Sequence, residues 1–218
     1  MVWPSTERGV DMATLDILTE TEASQTASGI DTALPSDELA RMVTAVSARI
    51  DELVGPVVNR AVTEYHNGGG VIRPRQTPVA SVTTVKYWDG SSQTLYTQDT
   101  WGVAGNADGF YIEQSGSYPH DVKIVRRSSG TSVDWPCGHQ VLQLVYVAGR
   151  AATTAAVAAR YKECAAEVLR RLWDRESSAW SRGADPFGDD LVSRRFFKAF
   201  DYVVMEMLGD EMDRPGIA

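Results

Sequence analysis

LVYVAGRAATTAAVAARYKECAAEVLRRLWDRE, residues 144–176, reads as an alternating strand, a glycine, a short Ala/Thr connection and a long helix. Leu142, Leu144, Tyr146 and Ala148 share one face of the strand, because successive strand side chains point to opposite sides. From Val157 onward, Tyr161, Cys164, Ala165, Val168, Leu169, Leu172 and Trp173 recur at helical spacing. Strand, glycine and helix in that order can cradle a phosphate, the glycine admitting the anion and the helix N-terminus attracting it. The same order also hands a β module on to a helix. A phosphate loop needs Gly-Lys-Ser/Thr or three spaced glycines. Here Gly149 stands alone and the first lysine, Lys162, falls inside the helix. The stretch is a junction, with Thr153 or Thr154 placed to cap the helix.

Upstream of the junction the period changes twice. Residues 12–27 favour helix weakly, up to Ser28-Gly29. Ser36 is then placed to cap a second helix with Asp37 and Glu38 in its first turn. Behind it Leu39, Met42, Val43, Val46, Ile50 and Leu53 form a stripe that predicts a buried face. From about Val57 the pattern is that of strands. VASVTTVKYWDGSSQTLYT places β-branched and aromatic runs on both sides of Asp89-Gly90, a hairpin signal. GFYIEQ (109–114), DVKIVRR (121–127) and HQVLQLVYVA (139–148) predict further strands. His66, Asn67, Gly68, Gly69 and Gly70 read as a flexible tip, because consecutive glycines hold no preferred backbone conformation.

Downstream, Glu167 with Arg171 and Arg170 with Asp174 stand four apart on the outer side of the long helix. A polar break follows, and a last helix carries Phe196, Phe197, Phe200, Val203, Val204, Met207 and Leu208, with Gly209 placed to cap it. The expected fold is α+β: a bundle of about four helices with an inserted antiparallel β-rich module. Its segments are 1–55 (helices), 56–149 (β module), 150–182 (long helix) and 183–218 (last helix and tail).

Composition narrows the function classes. An apolar fraction of 43% with 23% charged residues is that of a globular chain. No apolar run reaches the length of a membrane span, and MVWPSTERGVDM lacks the features of a secretory signal. A net charge of −8 disfavours tight wrapping of nucleic acid. The two cysteines, Cys137 and Cys164, are too few for a disulfide framework and predict a reducing setting, with Cys164 a small core residue.

Chemistry-bearing motifs are weak. Cys137 and His139 lie in WPCGH, yet no Cys-x-x-Cys or His-x-x-x-His pair accompanies them. GNADG (105–109) lacks the ligand ladder of a calcium loop. No serine occupies a Gly-x-Ser-x-Gly elbow. Asp189-Asp190 and Asp210-Glu211 fall at helix boundaries, where the helix dipole accounts for them. The expectation is a non-enzymatic chain with no catalytic residues, metal or cofactor. One other class stays open on the residues alone: an enzyme with a dispersed site such as His139 with Asp134.

Three stretches in order carry a resemblance. LPSDELARMVTAVSARIDELVG, TPVASVTTVKYWDGSSQTL and LVYVAGRAATTAAVAARYKECAAEVLRRLWDRE resemble the head-to-tail connector, or adaptor, proteins of long-tailed double-stranded DNA bacteriophages. The C-terminal FKAFDYVVMEMLGDEMDRPGIA is similar to the tail of connectors from actinobacterial phages. The family often places proline before the long helix, where this chain has Ala156 and Ala158. The resemblance implies a virion protein of the neck, assembled in the host cytoplasm. It would form a homo-oligomeric ring, commonly a dodecamer, under the portal protein. The ring would carry double-stranded DNA through its lumen without specific binding, with no membrane involved, and would receive the next neck or tail-completion protein. It further implies a portal contact by the C-terminal segment, with Phe196, Phe197, Phe200, Val204, Met207, Arg214 and Ile217 as candidates where the apolar stripe does not pack on the chain's own bundle, and residues 66–70 as an adaptable junction loop. A host-binding or decoration β module of a virion stays open beside it.

Overall fold

Seven strands pair into one sheet in a computed structural model that describes residues 15–26, 36–99, 108–114, 121–180 and 202–209. They are β1 (Arg60–His66), β2 (Val79–Trp88), β3 (Gln93–Gln98), β4 (Gly109–Gln114), β5 (Val122–Ser128), β6 (Thr131–Val133) and β7 (Leu142–Ala148). The order across the sheet is β1-β7-β2-β3-β4-β5-β6. Every neighbouring pair is antiparallel except β3 and β4, which run parallel through Thr97–Gly109 and Gln98–Phe110.

The helices are α1 (Glu20–Ser24), α2 (Ser36–Val54) and α3 (Ala159–Trp180), with a further helical segment, α4, at 202–208. This corrects the expected architecture. The fold is dominated by a seven-stranded mixed sheet and is not a four-helix bundle carrying an antiparallel insertion. Two long-range pairings make the difference. β1, which sequence reading does not anticipate as a strand, lies along the whole of β7. β3 meets β4 in parallel, so the two hairpin systems fuse into one sheet.

Two compact units divide the chain: Met1–Leu53 with Thr153–Asp210, and Val54–Ala152 with Glu211–Ala218. In the β unit, alternation decides which side chains go inside. Val62 and Glu64 of β1 and Leu142, Leu144, Tyr146 and Ala148 of β7 are buried. All of these but Glu64 join Ile72, Val79, Val85, Tyr96, Phe110, Val122, Ile124 and Trp135 in one apolar core. Trp135 donates its indole N–H to the Ile124 carbonyl at 3.1 Å and meets the Tyr96 ring edge-on, with centroids 5.1 Å apart. An indole so deeply buried needs a partner for its N–H. Ile72 and Ile124 exchange backbone hydrogen bonds, so the chain after β1 is tied to β5.

The hairpin predicted at Asp89-Gly90 forms between β2 and β3. The Asp89 carboxylate accepts the backbone N–H groups of Ser91 and Ser92 at 2.8 and 2.7 Å and both serine hydroxyls. Those bonds hold its pKa well below the usual carboxylate range.

In the helical unit, Leu39, Met42, Val43, Val46 and Ile50 of α2 are buried, as are Tyr161, Cys164, Ala165, Val168 and Leu169 of α3. Residues 15–26 are bound to these helices by polar contacts. Thr44 donates to the Asp16 carboxylate, Ile17 N–H donates to the Ser47 hydroxyl, and Lys162 reaches Glu22 at 2.6 Å. α1 is shorter than its composition predicts, with Thr19 and Glu22 forming a reciprocal capping box. Thr153 and Thr154 do not cap α3. They start a single 3-10 turn, Thr154–Ala156, and the Thr154 hydroxyl donates to the Asp16 carbonyl.

Candidate functional site

The densest polar cluster in the β unit is built on the inward positions of β1 and β7. Tyr146 donates its hydroxyl to Glu64 Oε1 at 2.6 Å, and Gln76 N–H donates to the Tyr146 oxygen at 3.0 Å. Arg75 N–H reaches both Glu64 oxygens at 3.3 and 3.1 Å, and His66 Nε2 lies 2.9 Å from Glu64 Oε2. Burial alone would raise the Glu64 pKa, but the bonds from His66, Tyr146 and Arg75 outweigh it and leave the carboxyl lowered. Burial and then the Glu64 carboxylate push the Tyr146 phenol well above its usual range.

This arrangement holds a charge in place. Glu64 is 7% exposed and Tyr146 is fully buried. The carboxylate is spent on fixing residues 75–76 over the inner face of the sheet. Tyr146 is legible in sequence as a core position; Glu64 is not, because nothing identifies β1 as a strand before its partner β7 is in place.

Residues 66–70 are drawn into a defined conformation. Gly68 N–H donates to the Gly138 carbonyl and Gly69 N–H to the Trp135 carbonyl, while Trp135 N–H donates to Gly70. The Asn67 side chain accepts the Gln140 N–H at 3.0 Å. Glycine is required at 68 because a Cβ there would lie 1.5 Å from the Pro136 carbonyl oxygen. The segment read as a flexible tip is hydrogen-bonded to residues 135–140.

Of the residues expected to dock a portal, Phe196, Phe197, Phe200, Arg214 and Ile217 lie outside the described residues. Val204 is buried with Val203 and Leu208. Met207 is half-buried, and its carbonyl accepts two hydrogen bonds from the Arg160 guanidinium. The side of α4 left exposed carries Tyr202 and Met205.

His139 and Asp134 are both exposed, and among the described residues no hydrogen bond joins them. Cys137 is exposed, while Cys164 is buried with its thiol pushed up to about 11 by burial. Among the described residues no group of three or more His, Cys, Asp or Glu side chains could hold a metal ion. Among them, too, no helix is long and apolar enough to cross a membrane.

The outward face of β1, β7, β2 and β3 is the second feature of note. Tyr65, Gln143, Lys86 and Leu95 form one cross-strand row, each opposite the next in register. Gln143 donates its side-chain amide to the Tyr65 hydroxyl at 3.0 Å. Leu95 is 56% exposed, and Trp88 in the adjoining row is 39% exposed.

Comparisons with protein-family models, with curated proteins and with solved structures find no match to this chain.

Proposed function

We propose that the chain is a structural virion protein, a head-to-tail connector whose copies form a ring under the portal. The ring extends the DNA channel and receives the next neck protein. The reading rests on the order and spacing of the three resembling stretches, a likeness that covers roughly 36–176, not on a helical-bundle architecture. One structural observation supports it. The buried Glu64 and Tyr146 and the half-buried His66 are joined in holding the chain, while apolar side chains stand exposed on a sheet face and on α4. Exposed apolar side chains of this kind suit contacts with partner proteins.

In this reading residues 196–218 meet the portal, with Tyr202 and Met205 among the contacting side chains. The acidic excess repels the phosphate backbone and lets DNA slide.

The exposed aromatic face favours a second reading, a host-binding or decoration module. Deleting the chain's gene from its phage separates the two. A connector leaves filled heads without tails, and particles that retain the chain hold it in equal number with the portal. Complete tailed particles that fail only to adsorb would overturn the connector reading.

A further inference from the structure

We infer that Asn67–Gly68 is a site of spontaneous deamidation, gated by opening of the contact between residues 66–70 and 135–140. The isoaspartyl product then breaks that contact. Of the chain's three asparagines, Asn59, Asn67 and Asn106, only Asn67 precedes a glycine. A glycine has no Cβ to hinder its own nitrogen, so that nitrogen can reach the carbonyl carbon of the preceding side chain. The fold itself demands glycine here, since a Cβ at 68 would lie 1.5 Å from the Pro136 carbonyl oxygen. Asn67 is exposed, so water reaches its amide. Packing that excludes a side chain from position 68 thus leaves a chemically labile pair at the surface.

Water is the sole co-reactant. The Gly68 nitrogen gives its proton to solvent base and bonds to Asn67 Cγ. The Cγ–Nδ2 bond breaks, and ammonia leaves with a proton returned by water. Water then opens the cyclic imide. Cleavage between the Gly68 nitrogen and Cγ gives aspartate with the main chain unchanged. Cleavage on the other side gives isoaspartate, whose main chain runs through Cγ and is longer by a carbon. Both reacting groups are engaged in the folded chain. Gly68 N–H donates to the Gly138 carbonyl at 2.8 Å. Gln140 N–H donates to the Asn67 amide oxygen at 3.0 Å and fixes that side chain. Ring closure requires these bonds to break, so the reaction proceeds from a locally opened state. Aspartate at 67 keeps an oxygen for Gln140 N–H. Isoaspartate shifts Gly68 and Gly69 away from the Gly138 and Trp135 carbonyls that accept their N–H groups. Asp89–Gly90 lacks the same liability, because its carboxylate is ionised and held by Ser91 and Ser92.

The test incubates the full chain at mildly alkaline pH, native and in urea, and follows the peptide that holds Asn67 by mass spectrometry. The unfolded chain is expected to convert to the acid at 67. The native chain should convert about tenfold or more slowly, the protection that two hydrogen bonds of ordinary net strength supply. Equal rates, or no conversion in urea, overturn the inference. Gln140→Pro removes the donor to Asn67, and proline cannot adopt the φ of +53° found there. With its circular dichroism unchanged, this variant should convert in the native state at a rate approaching that in urea, and a wild-type rate counts against the gate. The comparison of native with unfolded wild type decides the matter even where the variant fails to fold. Among native products, the isoaspartyl chain should exchange its Gly68 and Gly69 amide hydrogens faster than the aspartyl chain. Equal exchange would show that the contact survives, against the inference.

Discussion

Tyr146 shows how much a single hydroxyl can hold. It donates to Glu64 and accepts from Gln76 N–H inside the sheet core. Tyr146→Phe would leave a buried carboxylate and a backbone N–H each short of a partner, at a cost of about 1–3 kcal/mol. Chemical denaturation of the purified variant measures it, and an unchanged midpoint would show the network to be idle. The charge itself has a pH signature. Glu64 is held below its ordinary 4.5 in the folded chain, so its contribution is fully present above that value and is lost as pH falls through the lowered one. The stability gap between wild type and Glu64→Gln is therefore expected to shrink on acidification below about pH 4.5 and to stay flat above it. Thiol chemistry divides the cysteines: exposed Cys137 should react with a maleimide in the native chain, and buried Cys164 only after unfolding. Two labels per native chain would contradict the burial.

At the scale of elements, Gly149 ends β7 where the chain approaches Asn59 closely. A Cβ at this position would lie 2.6 Å from the Asn59 Cα and 2.7 Å from its N, and φ is +144°. Both backbone strain and overpacking follow from an added methyl, so Gly149→Ala is expected to cost at least about 1–3 kcal/mol. A melting temperature equal to that of wild type would mean that the β1–β7 junction yields easily. Strands and helices differ in how far local sequence reveals them. The apolar periods of α2 and α3 are visible residue by residue, and most buried positions fall on them, although Leu53, Leu172 and Trp173 are only half-buried while Ser47 and Val54 are buried off the stripe. β2, β3 and their Asp-Gly turn were equally legible, because a turn and its flanking strands are neighbours in the chain. β1 was not, since RAVTEYH mixes charges with a short alternation and becomes a strand by pairing with residues about eighty positions away. The parallel step from β3 to β4 left no local trace either.

For the whole molecule, charge distribution and exposed side chains carry the expectations. The purified chain should fail to retard double-stranded DNA in a gel at physiological salt, since twenty acids oppose twelve bases in its helical unit. A retarded complex there would argue against a sliding channel. Met205→Asp should fold normally, because the side chain is exposed, and should lose binding to the portal. Retained binding would remove this side of α4 from the portal contact.

By itself the sequence determined the two long amphipathic helices, the Asp89 hairpin, the inward face of β7 and the role of Gly149 as an exit from strand to helix. Those features depend on residues within a few positions of each other, where period and turn chemistry act directly. Only the tertiary structure decided that the strands dominate as a single mixed sheet, that residues 66–70 are hydrogen-bonded to 135–140, that Val204 faces inward, and that Glu64 is buried against Tyr146. Each of these joins groups far apart in the chain. In each, a backbone or side-chain partner that local sequence cannot supply is what makes the arrangement stable.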